Sequence, residues 1–361
     1  MANSNCIPPE IQSSATAALF SCRKVFLLEE LERAERLYLI HKGYIDALIT
    51  ELGADRYSRY AQARAETRDK LRSLRKSPSD TLNGLTAERE ARIGILAESW
   101  QLTTSLGIDC EKIQEVQRTY SERAHAELQA LSLSSADIRG PSVVAVRTPN
   151  VLPMSTPWFF SGVTNIFKEG SLNALISTIG ANANHLSGNL DIKSEIHIVD
   201  PEQIGYAYLR AEAAIAGILW LPSAGKLFIA FDLDAREVTA AGNLSNLWGV
   251  SDLKARIDIS SFARLYPVSG IEDRMGGWKV FDTGHIVLDG AEFWSDIRFS
   301  PGARKSFSFV SSQAYPAGTV MMLILGTGLF HSVWADDVTI ESDIVSNWSI
   351  SGIQLGLEVT K

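Results

Sequence analysis

The stretch Leu190-Asp191-Ile192-Lys193-Ser194-Glu195-Ile196-His197-Ile198 alternates without a break. Leu190, Ile192, Ser194, Ile196 and Ile198 fall on one side, and Asp191, Lys193, Glu195 and His197 on the other. Successive side chains of an extended chain point to opposite faces, so this is the pattern of a strand with one face in a core and one in water. Related runs occur at 226–234, 254–260, 278–288, 292–299, 305–311, 319–325, 333–340 and 348–359. Turn chemistry separates them: Pro222-Ser223-Ala224-Gly225, Gly276-Gly277, Asp289-Gly290, Pro301-Gly302 and Pro316-Ala317-Gly318. About nine or ten short strands punctuated in this way predict an antiparallel β-sandwich or jelly roll. Two stretches stay open. Ser171–Ala183 reads as a short helix or a strand, and Tyr206–Leu221 has an Ala-rich middle flanked by aromatics that favour a strand.

Upstream the period changes. Leu27, Leu31, Ala34, Tyr38, His41, Ile45, Leu48 and Leu52 recur at steps of three and four, which places them on one helical face. A second apolar set, Val25, Leu28, Leu37, Ile40, Tyr44 and Ile49, runs beside the first. Gly53 suits the stop of this helix and Asp55 the N-cap of the next, over Arg56–Lys76. Asn83-Gly84 reads as a turn, Thr86–Leu106 as a third helix closed by Gly107, and Asp109 as the cap of a fourth helix ending near Leu131. Four helices on short turns predict an antiparallel bundle or long helical hairpin. Gly140-Pro141, Pro149, Pro153 and Pro157 then interrupt the pattern. The expected organisation is segregated α+β: a flexible arm at 1–14, a helical domain at 15–137, a linker at 138–160 and a β-sandwich domain at 161–361.

Composition bounds the function. The chain has 361 residues, 45% hydrophobic and 21% charged, with a formal net charge of −8, which disfavours nucleic acid as the main partner. Eight basic residues against two acidic ones stand between Arg56 and Lys76. Such a helix meets an anionic surface or pairs with the acidic face of Glu29–Glu35. Cys6, Cys22 and Cys110 all lie in the helical third, so the β part carries no disulfide framework. The N-terminus has no signal-peptide pattern and no stretch is apolar enough to span a bilayer. The expected location is the cytoplasm, or outside the cell by a signal-less route.

No metal, nucleophile or phosphate-loop motif is present. Gly326-Thr327-Gly328 reads as a turn. Asp232 and Asp234 stand two apart on a strand, share a face and are the candidate calcium ligands; no other cofactor is indicated. Seven of the eight tryptophans lie in the β part. An indole offers a broad rigid face for sugar rings or protein partners, and it also fills cores. Trp158, Phe159, Trp248, Trp278, Trp294 and Trp334 are the candidate binding residues. The reading that follows is a non-enzymatic binding or assembly protein. Its helices self-associate or dock, and its sandwich recognises a glycan or a protein. The alternatives are a pore-forming or secreted toxin, where membrane contact enters, and an enzyme whose site is assembled from distant strands.

Overall fold

The computed structural model describes residues 9–75, 82–134, 151–171, 174–178, 180–198, 205–246, 252–268, 273–282, 286–287, 297–299, 301–336 and 338–359. Four helices come first: α1 (Pro9–Leu52), α2 (Ala54–Arg75), α3 (Leu82–Ser105) and α4 (Cys110–Ser134). Gly53 ends α1 in the left-handed region at φ 76°, and its N–H donates to the Ile49 carbonyl at 2.8 Å. Asp55 is not the N-cap of α2, because the helix restarts at Ala54 and the Gly53 carbonyl accepts from Tyr57. Asp109 does cap α4: its Oδ1 accepts from the N–H of Glu111 and Lys112 at 3.1 and 3.3 Å. Asn83 and Gly84 fall inside α3 rather than in a turn.

Helix α1 runs beside α4, and α2 beside α3. Arg36 pairs with Glu127 and Lys112 with Glu51 across the first of these contacts. On the basic α2, Lys70 pairs with Glu98 of α3 rather than with the acidic run of α1.

Fourteen strands follow among the described residues. They are β1 (Val151–Pro153), β2 (Trp158–Gly170), β3 (Ala174–Thr178), β4 (Asn182–Asn184), β5 (Asn189–Ile198), β6 (Gly205–Trp220), β7 (Gly225–Asn246), β8 (Asp252–Pro267), β9 (Asp273–Asp282), β10 (Ile286–Val287), β11 (Ile297–Phe299), β12 (Arg304–Val310), β13 (Val320–Asp336) and β14 (Val338–Val359). They build two antiparallel sheets. One has the order β10-β8-β13-β6-β2 with β9 added on β8. The other has the order β11-β7-β14-β5-β3, with β1 on β14, β12 on β7 and β4 on β5. Their facing sides share one core that includes Leu190, Ile192, Ile196, Phe231, Leu323, Leu329 and Trp348.

Helices α1 and α4 form a third layer on the far side of the β6-containing sheet, which is therefore the middle layer. The C-terminal half of α1 packs with α4 on Tyr206, Tyr208, Phe330 and Trp334. Its N-terminal part, from Ile11 to Cys22, lies on Ala214, Ala216, Ile218, Phe262, Met322 and Ile324. This explains the open reading of Tyr206–Leu221. Strand β6 is buried on both faces, odd residues toward the inter-sheet core and even residues toward the helices, so its sequence cannot alternate. The Ser171–Ala183 stretch resolves into β3 and β4.

Three sequence expectations are corrected. The run at 319–325 and the start of the run at 333–340 belong to one strand, because β13 passes through Gly326-Thr327-Gly328 without turning, while 338–340 open β14. These glycines make room instead. A Cβ on Gly326 would stand 2.5 Å from Ala214 Cβ and 2.8 Å from Phe262 Cζ, and one on Gly328 would stand 3.3 Å from Arg210 Nη2. Within the expected linker 138–160, β1 is already a strand on β14 and β2 begins at Trp158; residues 138–150 lie outside the described ones. The apolar stripe expected on α1 is buried only in part. Ala34, Leu48 and Leu52 are covered, while Leu27, Leu31 and Tyr38 are exposed.

Candidate functional site

The segment from Pro153 to Trp158 crosses from β1, on the edge of the outer sheet, to β2, on the edge of the middle sheet. Trp158 lies opposite Ile218 of β6, and a bulge between Phe159 and Ser161 shifts the register just beyond it. The bulge sorts three consecutive aromatics. Phe159 packs half-buried on the inter-sheet core, where Gly217 leaves room for its ring and for Pro157. Trp158 and Phe160 stay on the helix-facing side of the middle sheet and stack at 5.8 Å between centroids, 13° from parallel. Trp158 is 45% exposed. Trp220 ends β6 two residues beyond Ile218 on the same face and is 47% exposed. Two half-exposed indoles thus stand at one end of the middle sheet.

A cleft of about 330 Å³ opens beside the same crossover, lined by Met154, Thr156, Phe228, Ile353, Gln354 and Gly356 among others. Its shape has a local cause. Gly356 pairs with both Pro153 and Phe228, so its missing side chain leaves the floor open. The bulge between Ser351 and Gln354, with Gly352 at φ 59°, turns the neighbouring chain aside.

The exposed face of the outer sheet carries the candidate calcium ligands. Asp232 and Asp234 share it, as the strand reading requires, and Arg304 of β12 serves both. Its Nε lies 2.6 Å from Asp234 Oδ1 and its Nη1 3.8 Å from Asp232 Oδ2. Ser351 Oγ also donates to Asp234 at 2.6 Å. The hydrogen bonds from Arg304 and then Ser351 hold the Asp234 carboxyl below its ordinary value. A calcium ion at this pair has to displace the guanidinium. A second group capable of holding a metal lies on β5 and β14: ligand atoms of Glu195, His197 and Asp343 stand within 4.8 Å of one another. Lys193 competes for Glu195 at 3.5 Å. Burial, and then the charge of Glu195, raises the Asp343 carboxyl.

Three buried polar groups lie apart from the candidate site residues read from the sequence. Between middle sheet and helices, Glu212 is 2% exposed and accepts from Arg264 at 2.9 and 2.5 Å and from Asn165 at 3.1 Å. Burial alone raises such a carboxyl, but Arg264 and then Arg210 outweigh it and hold Glu212 at about 2. In the same layer Tyr208 donates to Glu30 of α1, which also accepts from Arg33 at 2.5 Å. Burial, then the charge of Glu30, raises the Tyr208 hydroxyl well above its ordinary value. Between the two sheets, His331 has no exposed surface and sits between Ser194 and Ser342, at 3.0 Å on Nδ1 and 2.9 Å on Nε2. A histidine between serines has the parts of nucleophilic chemistry, but no substrate reaches an enclosed core.

The remaining candidate aromatics separate. Trp334 has no exposed surface; it sits between helix and sheet with its ring 6.3 Å from His41, so it packs and presents no face to a ligand. Trp278 belongs to β9, of which the backbone alone is described there, and Trp248 and Trp294 lie outside the described residues. Trp220 was missed because its strand was ambiguous. The available signal was its place just before the Pro222-Ser223-Ala224-Gly225 turn, where a strand end leaves the core.

No family model matches the chain, and no curated protein matches it. Several solved structures align with about half of it, among them these three. One is the enzymatically active domain of tailspike protein 4 from bacteriophage CBA120, at 10% identity and TM-score 0.16, covering 49% of this chain and 19% of that one. Another is TmCBM61 in complex with β-1,4-galactotriose, at 7% identity and TM-score 0.14, covering 48% of this chain and 86% of that one. The third is a CBM4 structure, at 13% identity and TM-score 0.17, covering 48% and 93%. At TM-scores this low the alignments establish no common fold.

Proposed function

We propose that the β-sandwich is a glycan-recognition module and that the crossover from β1 to β2 is its binding site. One observation carries this reading: Trp158 and Trp220, 45% and 47% exposed, stand at the same end of the middle sheet, with Trp158 held flat on Phe160. Burying an indole stabilises a fold by several kcal/mol, so two left half in water suit a surface that is covered by something else. The C–H face of a pyranose stacks on an indole, and the hydroxyl rim needs donors and acceptors close by. Thr156, two residues before Trp158 on the same crossover, offers a hydroxyl. The neighbouring bulge fixes Trp158 on a strand rather than on a free loop, which limits the ordering cost of binding.

The test is tryptophan fluorescence during titration with oligosaccharides chosen from a glycan array, on the full chain. A blue shift and quench that saturates is expected, weakened about tenfold or more in Trp158→Ala and Trp220→Ala, the loss of a stacked aromatic contact. Leu186→Ala, at a side chain 86% exposed in the turn after β4, serves as the control. Equal binding by both tryptophan variants and the wild type overturns the assignment. No helix among the described residues is long and apolar enough to cross a membrane.

A further inference from the structure

Independently of the glycan reading, helix α1 carries an apolar face that nothing among the described residues covers. Phe20 is 69% exposed, Leu28 55%, Leu31 58% and Leu39 56%. At about 100° per residue these four fall on one side of the helix, together with Lys24 and Glu35, and away from the sheet-facing line of Glu30, Ala34, Leu37 and Leu48. Lys24 and Glu35 are exposed and have no ion-pair partner among the described residues. The order along the helix is Phe20, Lys24, Leu28, Leu31, Glu35, Leu39. Read backwards it is again apolar, charged, apolar, apolar, charged, apolar, with the sign of the charge reversed.

We infer that α1 is the interface between two copies of this chain, packed antiparallel about a twofold axis that passes midway between Glu29 and Glu30. Each residue then meets the one the same number of positions beyond the axis. Phe20 meets Leu39 of the other copy, Leu28 meets Leu31, and Lys24 meets Glu35. All three contacts occur twice, as an isologous interface requires. The helix turn supports this register. Two residues related by the axis must lie at equal angles on either side of it, and Lys24 with Glu35 and Leu28 with Leu31 do so about the centre of the exposed face. A parallel pairing sets Lys24 on Lys24 and Glu35 on Glu35. The contact runs about 28 Å from Phe20 to Leu39 at 1.5 Å per residue.

The test is sedimentation velocity of the full chain across a micromolar concentration series, with circular dichroism to verify that each variant is folded. The wild type is expected to dimerise. Lys24→Glu and Glu35→Lys each place like charges together twice and are expected to weaken the dimer about tenfold or more. The double variant recovers it. Mixing the two single variants also recovers it, as a heterodimer, because each then supplies what the other lacks. Leu28→Glu leaves a monomer. A wild type that stays monomeric overturns the inference, since the face is then covered by another part of the chain or by a different partner. A monomer that co-sediments with anionic phospholipid vesicles through the same residues overturns it in favour of a lipid surface. A dimer indifferent to both charge variants places the interface elsewhere, and failure of the swap refutes the register.

Discussion

His331 gives the chain a steep sensitivity to mild acid. Its ring is enclosed between the sheets, with Ser194 on one nitrogen and Ser342 on the other, and its sequence neighbours Leu329 and Val333 on the same strand face are also fully buried core residues. Its cross-strand partners in the middle sheet are Leu209 and Ile257. Among the described residues no carboxylate is hydrogen-bonded to the ring to compensate a second proton. Burial lowers its pKa from 6.5 to about 3. The native state therefore holds a neutral imidazole, with one nitrogen donating and the other accepting while the serine hydroxyls rotate to suit. The unfolded chain takes up a proton near its ordinary value. A base whose folded value is depressed contributes stability above the unfolded value and loses it as pH falls from there toward the folded value. The difference corresponds to roughly 4–5 kcal/mol over the whole window, at about 1.4 kcal/mol per pH unit. Between pH 7 and pH 5 the expected loss is about 2 kcal/mol.

That window isolates His331 from the other buried ionic group with a lowered value. Glu212 falls from 4.5 to about 2 in the fold, so its contribution is complete above about 4.5 and disappears only below that. Urea unfolding at pH 7, 6 and 5, followed by far-ultraviolet circular dichroism, gives the slope of stability against pH. In His331→Gln a side-chain amide can donate to one serine and accept from the other, and it does not titrate. The variant should be less stable than the wild type at pH 7 and should have lost most of the slope between pH 7 and 5. If wild type and variant keep the same slope, the acid sensitivity belongs elsewhere and the enclosed neutral imidazole is refuted.

Glu212→Gln leaves Arg264 and Arg210 without their carboxylate inside the helix–sheet seam, and should cost about 3–5 kcal/mol in the urea midpoint at pH 7. Gly326→Ala forces a methyl to within 2.6 Å of the Ala213 carbonyl oxygen and should destabilise by about 1–3 kcal/mol. Gly94→Ala, in α3 with nothing within 4 Å of the new methyl, should stabilise by up to about 1 kcal/mol in the same assay.

How much of this was legible follows from which faces a segment buries. Strand β5 was plain because one side faces water. Its inward line Leu190, Ile192, Ser194, Ile196, Ile198 is fully buried, and the one polar member, Ser194, is the one that meets His331. Strands β6 and β13 were obscure because both of their sides are covered, one by the other sheet and one by helices. The signature that reads as a turn, Gly326-Thr327-Gly328, is what such a strand needs where Phe262 and Arg210 lean over it. The two long strands β13 and β14 were read as shorter pieces for this reason and because bulges break the alternation of β14. Among the aromatics, composition pointed to the tryptophans as a set but could not sort them. Sorting depends on a bulge at Phe159 and on where β6 ends, and neither is a property of residue type.

Helix α1 shows the same limit in a sharper form. Its apolar residues nearly encircle it, so the period alone names no buried face. The line that faces the sheet runs through Glu30, a carboxylate that any reading by polarity turns toward water. It is buried because the sheet offers Tyr208, whose hydroxyl donates to it, while Arg33 one turn later neutralises it. An ionised group in that position specifies a rotation. Turning α1 to bury Leu27, Leu31 and Leu28 instead would carry Glu30 away from Tyr208 and leave the hydroxyl without its acceptor, while Arg210 and Glu212 still lie beneath the helix layer. The buried polar layer thus selects which of two apolar faces meets the sheet. The face that remains is set free by electrostatics rather than by a shortage of hydrophobic residues, and its alternation of Lys24 and Glu35 with leucines is the surface on which the proposed dimer rests.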